Sequence, residues 1–189
     1  MVPARDDLKW LEQENPKPEW AIAGDDAVRA LTPAGLAAIA GRLPVALPES
    51  LRLLAARPES QQRIRSATAC FLDLGDFPAV TAGEDGFLVH VLSDQQWCLH
   101  WLVYLDTAGR QAVVATPEPI GFDLSEDESG PGSVIRLDDE KLGLTICAGT
   151  LAEFLYRFWI ENEIFFALHS NQQLTPALAT YAARLAPSQ

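Results

Sequence analysis

The chain is poor in basic residues for its length. Its 189 residues include 14 lysines and arginines against 26 aspartates and glutamates, so the formal net charge at pH 7 is −12. Such a charge repels phosphate backbones and anionic lipid surfaces instead of releasing their counterions. We therefore expect neither a nucleic acid nor a membrane as a direct partner.

Cysteine is scarce, and no export signal or membrane-spanning run is evident. The three cysteines, Cys70, Cys98 and Cys147, are odd in number, widely spaced and inside apolar runs, which is typical of buried reduced thiols and not of a disulfide framework. The first ten residues carry two aspartates where a signal peptide needs a basic region. The most apolar stretch, residues 154–169, is interrupted by charged residues. These absences together predict a cytoplasmic protein.

Motifs that mark catalysis or phosphate binding are also missing. The sequence contains no G-x-S-x-G, no H-E-x-x-H and no G-x-x-x-x-G-K-[ST], and it has three histidines in all. Charge runs such as SEDES and LDDEK lack the spacing of a calcium loop and are typical of solvated loops. We therefore expect no enzyme activity and no cofactor.

A metal site is disfavoured by the expected geometry of one hairpin. If Asp94 and Gln95 form a two-residue turn, His90 pairs with Leu99 and lies on the opposite face from His100. Closed zinc sites also show paired ligands at short spacing, which this chain lacks. The sequence therefore predicts no metal.

Helix signals occur at both ends of the chain. Thr32-Pro33 and Thr175-Pro176 each place an N-cap before a proline at the first helical position, and Pro48 and Pro58 bound a further short helix. Thr150 and Glu153 form a capping box for the longest helix. Residues 1–24 are predicted to form an N-terminal arm anchored by Trp10 and Trp20, with a loose arm as the alternative, and residues 25–189 a single domain.

The middle of the chain is rich in strand signals. From Thr68 onward, the runs TACFLDL, FLVHVL, WCLHWLVYL and RQAVVAT are rich in branched and aromatic residues and are separated by short turns, which favours an antiparallel meander. The run at residues 97–105 is apolar on both faces and reads as a central strand covered on both sides. We expect the acidic loop SEDESGPGS to be mobile. The fold class is thus α+β, a mostly antiparallel or mixed sheet flanked by helices.

The longest predicted helix has an irregular apolar face. Asn162 and His169 fall in the middle of that face, whereas Ile160 and Ile164 fall on the other side. In one interpretation, Asn162 is a buried amide bonded to neighbouring backbone and the C-terminal helix covers the isoleucines. In the other, the isoleucines form an exposed strip that docks a partner.

The order of these signals resembles the SUKH superfamily. The segments that carry the resemblance are LPESLRLL, ACFLDLGDF, VLSDQQWCLHWLVYLDTAGRQAVVAT and ICAGTLAEFLYRFWIENEIFFAL, within residues 43–168. That superfamily includes yeast cell-wall regulators of the Smi and Knr type and many bacterial immunity proteins. The resemblance implies an α+β fold and a function in protein binding, since bacterial members often neutralise toxins, frequently nucleases. It implies no catalytic residues.

The leading hypothesis is therefore a non-enzymatic, toxin-neutralising or regulatory protein-binding module. Its partner would carry a basic surface, as a nuclease-type toxin does, because acidic residues speed the encounter and aromatic anchors supply affinity. The alternative is a small-ligand binder or hydrolytic enzyme that uses a pocket near His90, His100 and Trp101. The candidate contact residues are Asp94, Gln95, Gln96, Trp97, Glu126, Asp127, Glu161, Glu163 and Ile164.

Overall fold

The chain folds as an α+β domain, as the sequence predicts. A computed structural model describes residues 7–24, 29–74, 79–120, 134–136 and 143–185. A 3-10 helix, Lys9–Gln13, comes first. The α-helices are α1 (Pro33–Ala40), α2 (Glu49–Ala56), α3 (Pro58–Gln61), α4 (Leu151–His169) and α5 (Pro176–Leu185). The strands are β1 (Phe71–Leu72), β2 (Ala79–Ala82), β3 (Gly86–Ser93), β4 (His100–Asp106), β5 (Gln111–Thr116), β6 (Val134–Arg136) and β7 (Thr145–Ala148).

The seven strands form one mixed sheet in the order β6-β2-β3-β4-β5-β7, with β1 paired to β3 beside this path. Short turns join β2 to β5 into an antiparallel meander, in which β3, β4 and β5 are predicted strands. The TACFLDL run, predicted as the first strand of the meander, contributes only the two-residue β1, and the place beside β3 in the path is taken by β2, which the sequence did not predict. Strand β7 returns antiparallel to β5. The pairing of β6 with β2 is parallel, which makes the sheet mixed.

The sheet carries apolar residues on both faces. On the helix face, side chains such as Val89, Val103 and Val113 pack against α2 and α4 in the main core. On the second face, a smaller cluster holds Leu88 and Leu102 together with Ile120 from the segment after β5. The prediction that β4 is central and covered on both sides is confirmed for its residues from His100 onward. Within the described residues, no helix is long and apolar enough to cross a membrane.

Helix α4 begins at the predicted capping box. The Thr150 hydroxyl accepts a hydrogen bond from the Glu153 N–H at 3.1 Å, and the Glu153 carboxylate accepts one from the Gly149 N–H at 3.2 Å. These bonds satisfy backbone donors that the first helical turn leaves open. The helix then runs for 19 residues across the sheet.

The irregular face of α4 is explained by internal packing. The Asn162 carboxamide accepts a hydrogen bond from the Ala67 N–H at 2.6 Å and donates one to the Phe158 carbonyl at 2.7 Å. Ile160 is 1% exposed beneath α5, and Ile164 is partly buried in the same cluster. The predicted backbone bonds of Asn162 and the cover of α5 over the isoleucines are therefore confirmed, although the amide is only partly buried, and these isoleucines do not form an exposed apolar strip.

The N-terminal segment packs against the domain body. Trp10 is 6% exposed and lies against Tyr156 and Trp159 of α4, so its predicted anchoring role is confirmed. Trp20 is 49% exposed, and its predicted anchoring role is wrong. The buried Ile22 serves in its place, and its N–H donates to the Ile64 carbonyl at 2.9 Å.

Replacing Gly86 with alanine should destabilise the sheet, because an added Cβ would come within 3.0 Å of both the Ala82 carbonyl oxygen and the Tyr104 ring. Overpacking of this kind costs about 1–3 kcal/mol of unfolding free energy. Gly143→Ala is the control, since, chain neighbours aside, no atom of the described residues lies within 4 Å of the position that its Cβ would take. Urea unfolding followed by circular dichroism checks this, and equal midpoints for the two variants would contradict it.

Candidate functional site

The β3–β4 connection is longer than the two-residue turn expected from the sequence. Ser93 pairs with His100, so residues 94–99 form the turn and Cys98 and Leu99 lie outside the strand. The Asp94 carboxylate accepts hydrogen bonds from the backbone N–H groups of Cys98 and Leu99, at 2.9 and 3.1 Å. An aspartate that bonds to nearby backbone in this way stabilises a wide turn without strand pairing.

A β-bulge in β3 reverses the predicted placement of His90. The register passes from His90↔Leu102 directly to Leu92↔Trp101, which leaves Val91 as an extra residue. Both Val91 and Leu92 lie in the main core on the helix face. The next residue, Ser93, therefore shares the second face with His90, and both lie beside His100. The expectation that His90 and His100 lie on opposite faces is wrong.

Strand β1 adds a carboxylate to the same place. Phe71 pairs with Ser93 and Leu72 pairs with Leu92. Because Leu72 enters the main core, the alternation of a strand directs Asp73 to the second face. The ligand atoms of Asp73, His90 and His100 lie within 4.8 Å of one another, and all three residues are at most 1% exposed. We call these three residues and Ser93 the buried cluster.

Hydrogen bonds connect the members of the buried cluster. Ser93 Oγ lies within hydrogen-bonding distance of both Asp73 Oδ2 and His100 Nδ1, 2.6 Å from the latter, and its single hydrogen is donated to one of these two acceptors at a time. The Nε2 atoms of His90 and His100 lie 3.2 Å from the Ile120 carbonyl and 3.3 Å from the Trp97 carbonyl, respectively. A carbonyl only accepts, so each Nε2 is the protonated nitrogen and each Nδ1 faces the cluster.

The electrostatics of the turn and of the cluster differ. Burial lowers the pKa of His100 below its usual value and so favours the neutral ring. The hydrogen bond to Trp97 has the opposite effect on this pKa but does not outweigh burial. Burial alone would raise the pKa of Asp94, but hydrogen bonds from Cys98 and Leu99 outweigh it and the pKa is lowered. The Cys98 thiol donates to Asp94 Oδ2 at 3.3 Å, and this bond raises the pKa of Cys98. Cys98 is therefore a protonated thiol at neutral pH.

Comparisons of the chain with models of protein families, with curated proteins and with solved structures found no match. The resemblance to the SUKH superfamily therefore stays a prediction.

The turn presents some of the predicted contact residues to solvent. Gln95 and Gln96 are exposed, and Trp97 is 40% exposed with a left-handed backbone, φ 59°. The Trp97 ring lies 5.9 Å from the Phe71 ring and 5.8 Å from the His100 ring. Asp94, in contrast, is 8% exposed and its carboxylate is bonded within the turn, so this candidate contact residue offers little surface to a partner.

The predicted contact residues of α4 have different environments. Glu161 is exposed and accepts a hydrogen bond from the Tyr181 hydroxyl at 2.6 Å. Glu163 is 8% exposed and forms ion pairs with Arg65 and Lys17, so it is committed to the fold. Ile164 is partly buried against α5. Glu126 and Asp127, with the acidic loop that carries them, lie outside the described residues.

The alternative pocket near His90, His100 and Trp101 is not assembled as predicted. Trp101 lies on the helix face of β4, with its ring 6.0 Å from those of Phe154 and Phe158. The two histidines lie on the second face and are at most 1% exposed. A substrate would therefore meet neither imidazole on the molecular surface.

Asp73 and Ser93 belong to the buried cluster, but neither was predicted from the sequence as a site residue. Alternation within the FLDL run could have placed Asp73 opposite the core residue Leu72. No comparable signal places Ser93, because it faces His90 only through the bulge at Val91.

Proposed function

We propose that this chain is a protein-binding module, toxin-neutralising or regulatory, whose contact surface is centred on Trp97. The single observation that supports this is the presentation of a large aromatic ring on a turn fixed by hydrogen bonds. The Trp97 N–H donates to the Asp94 carbonyl at 3.1 Å, and the Asp94 N–H donates to the Leu99 carbonyl at 2.9 Å. A fixed anchor loses little conformational entropy on binding.

The surroundings of Trp97 suit the centre of an interface. Leu99 is 36% exposed on the same turn, and Phe71 lies beside the Trp97 ring under the guanidinium of Arg29, which is 3.8 Å from the Phe71 centroid. Tryptophan and arginine are the residues most enriched at binding hot spots. The net charge of −12 favours a basic partner through faster encounter.

Trp97→Ala should weaken partner binding about thirtyfold or more, since a central aromatic anchor contributes about 2 kcal/mol or more to affinity. The measurement is affinity capture from the source cells at low and high salt, followed by titration with the purified captured protein. Trp20→Ala is the matched control, because Trp20 is also exposed and also has a left-handed backbone, φ 66°.

Charge reversal at Glu126 and Asp127 should slow association and reduce its dependence on salt. Reversal at Asp94, Glu161 or Glu163 is unsuitable, because all three carboxylates are bonded within the fold. A captured basic protein whose affinity depends on Trp97 and not on Trp20 supports the proposal. No protein partner at any salt, or a partner indifferent to Trp97, would overturn it.

A further inference from the structure

We infer that Asp73, His90 and His100 form a binding site for a divalent transition metal, of which zinc is the best match. The inference is independent of the proposed function. It depends on the convergence of three ligand atoms within 4.8 Å on the second face of the sheet, at a depth where each residue is at most 1% exposed.

The chemistry of the ligand set selects the class of metal. Two imidazole nitrogens and one carboxylate oxygen suit zinc and the neighbouring transition metals, which bind three protein ligands of this kind and complete their coordination with water or a hydroxyl. Calcium and magnesium prefer a shell of oxygen ligands. The Ser93 hydroxyl, 2.6 Å from His100 Nδ1, is placed to contribute the further oxygen.

The second nitrogen of each histidine is bonded as in known metal sites. His90 Nε2 lies 3.2 Å from the Ile120 carbonyl, and His100 Nε2 lies 3.3 Å from the Trp97 carbonyl. Histidines that bind metals generally donate this N–H to a carbonyl or carboxylate, which fixes the ring orientation and the tautomer. Both rings are therefore held with Nδ1 directed toward Asp73 and Ser93.

An independent observation also indicates a cation. Asp73 Oδ1 is fully buried and has no hydrogen-bond partner among the described residues. A buried carboxylate oxygen without a partner is costly, whereas a bound cation would neutralise it. His90 Nδ1 lies 3.7 Å from Asp73 Oδ2, too far for a hydrogen bond. Ligand atoms around tetrahedral zinc are roughly 3.3 Å apart. His90 Nδ1 and Asp73 Oδ2 can therefore bind the same metal ion once they approach each other by a few tenths of an ångström.

The burial of the cluster determines how the site must be loaded. A metal enters most readily while the chain folds, because the binding free energy is then part of the folding free energy. The protein is therefore unfolded in denaturant that contains a chelator, so that any bound metal is removed. It is then refolded with zinc, with cobalt(II) or without metal, and gel filtration removes the excess ion. Bound metal is measured by mass spectrometry and stability by thermal unfolding.

The wild-type chain should retain about one equivalent of zinc, and Asp73→Asn, His90→Gln and His100→Gln should each retain under about a tenth of that. Zinc at roughly a hundredfold excess over its Kd should raise the Tm of the wild type by about 5–10 °C. His169→Gln is the matched control, because His169 is the third of three histidines and is exposed at the end of α4. Cys98→Ser controls for adventitious binding by an exposed thiol.

Cobalt(II) tests the inference on the wild-type protein alone, so the result does not depend on whether the ligand variants fold. Cobalt(II) in the wild-type site should give the visible bands of a four-coordinate ion without a thiolate charge-transfer band, which supports the inference without any substitution. The inference is overturned if no metal is retained and the Tm is unchanged. It is also overturned if Asp73→Asn retains as much metal as the wild type, or if His169→Gln or Cys98→Ser loses the metal.

Discussion

Leu155→Ala should lower the free energy of unfolding by about 3–4 kcal/mol, the largest effect that we expect from a single truncation. Leu155 is 0% exposed in the middle of α4, where it belongs to the main core between the helices and the sheet. Removing its side chain loses the transfer free energy of the buried carbons and leaves a cavity that a close-packed core fills only in part. Urea unfolding followed by tryptophan fluorescence measures the change.

Leu168→Ala is the matched control for this experiment. Leu168 lies on the same helix but is 60% exposed, so its truncation should change the free energy of unfolding by about 0.5 kcal/mol or less. Similar losses for the two variants would mean that α4 does not bury the face that the structure assigns to it. Leu155→Met is expected to be the milder substitution, because it conserves volume.

Glu163→Gln should lower the free energy of unfolding by about 2–3 kcal/mol. The Glu163 carboxylate accepts two hydrogen bonds from Arg65, at 2.9 and 3.0 Å, and lies 2.8 Å from Lys17 Nζ. The side chain of Arg65 is 24% exposed, so the substitution leaves a partly buried guanidinium without its counterion. Breaking a desolvated pair is costly because the remaining charge has lost its partner.

Glu161→Gln is the control for Glu163→Gln. The Glu161 side chain is 44% exposed and 3.7 Å from Arg157, so its substitution should cost about 0.5 kcal/mol or less. A double-mutant cycle with Arg65→Gln should show strong coupling to Glu163, since both substitutions remove the same bonds. If Glu163→Gln is as stable as Glu161→Gln, the ion pairs of Glu163 do not stabilise the fold. The Glu163 carboxylate is then available for a partner, as its choice as a candidate contact residue supposes.

These two residues illustrate a general difficulty in assigning a surface from sequence. Glu161 and Glu163 are both acidic and lie on the same helix, but only Glu163 is placed against the cations of Arg65 and Lys17. Those cations come from segments about 100 and 150 residues away in the chain, and no local pattern reports their approach. A charge-reversal series that included Glu163 would therefore confuse lost folding with lost binding.

The sequence by itself determined those features that depend on neighbouring residues. The proline-supported N-cap at Thr32, the capping box at Thr150 and the antiparallel strands β3, β4 and β5 all appear where they were predicted. Caps and strand alternation involve residues within about four positions, so their physical basis is visible in the chain. The bonding of the Asn162 amide to neighbouring backbone was also inferred correctly, because a polar residue on an apolar face needs internal partners.

Only the tertiary structure decided the register and the candidate sites. The six-residue turn at 94–99 and the bulge at Val91 together place His90 beside His100, whereas a simple hairpin would have separated them. Asp73 joins them through the pairing of β1 with β3, about twenty residues further along the chain. One extra residue in a strand exchanges the faces of every residue beyond it. Packing in the core determines where the extra residue lies, and the buried cluster forms only in the resulting strand register.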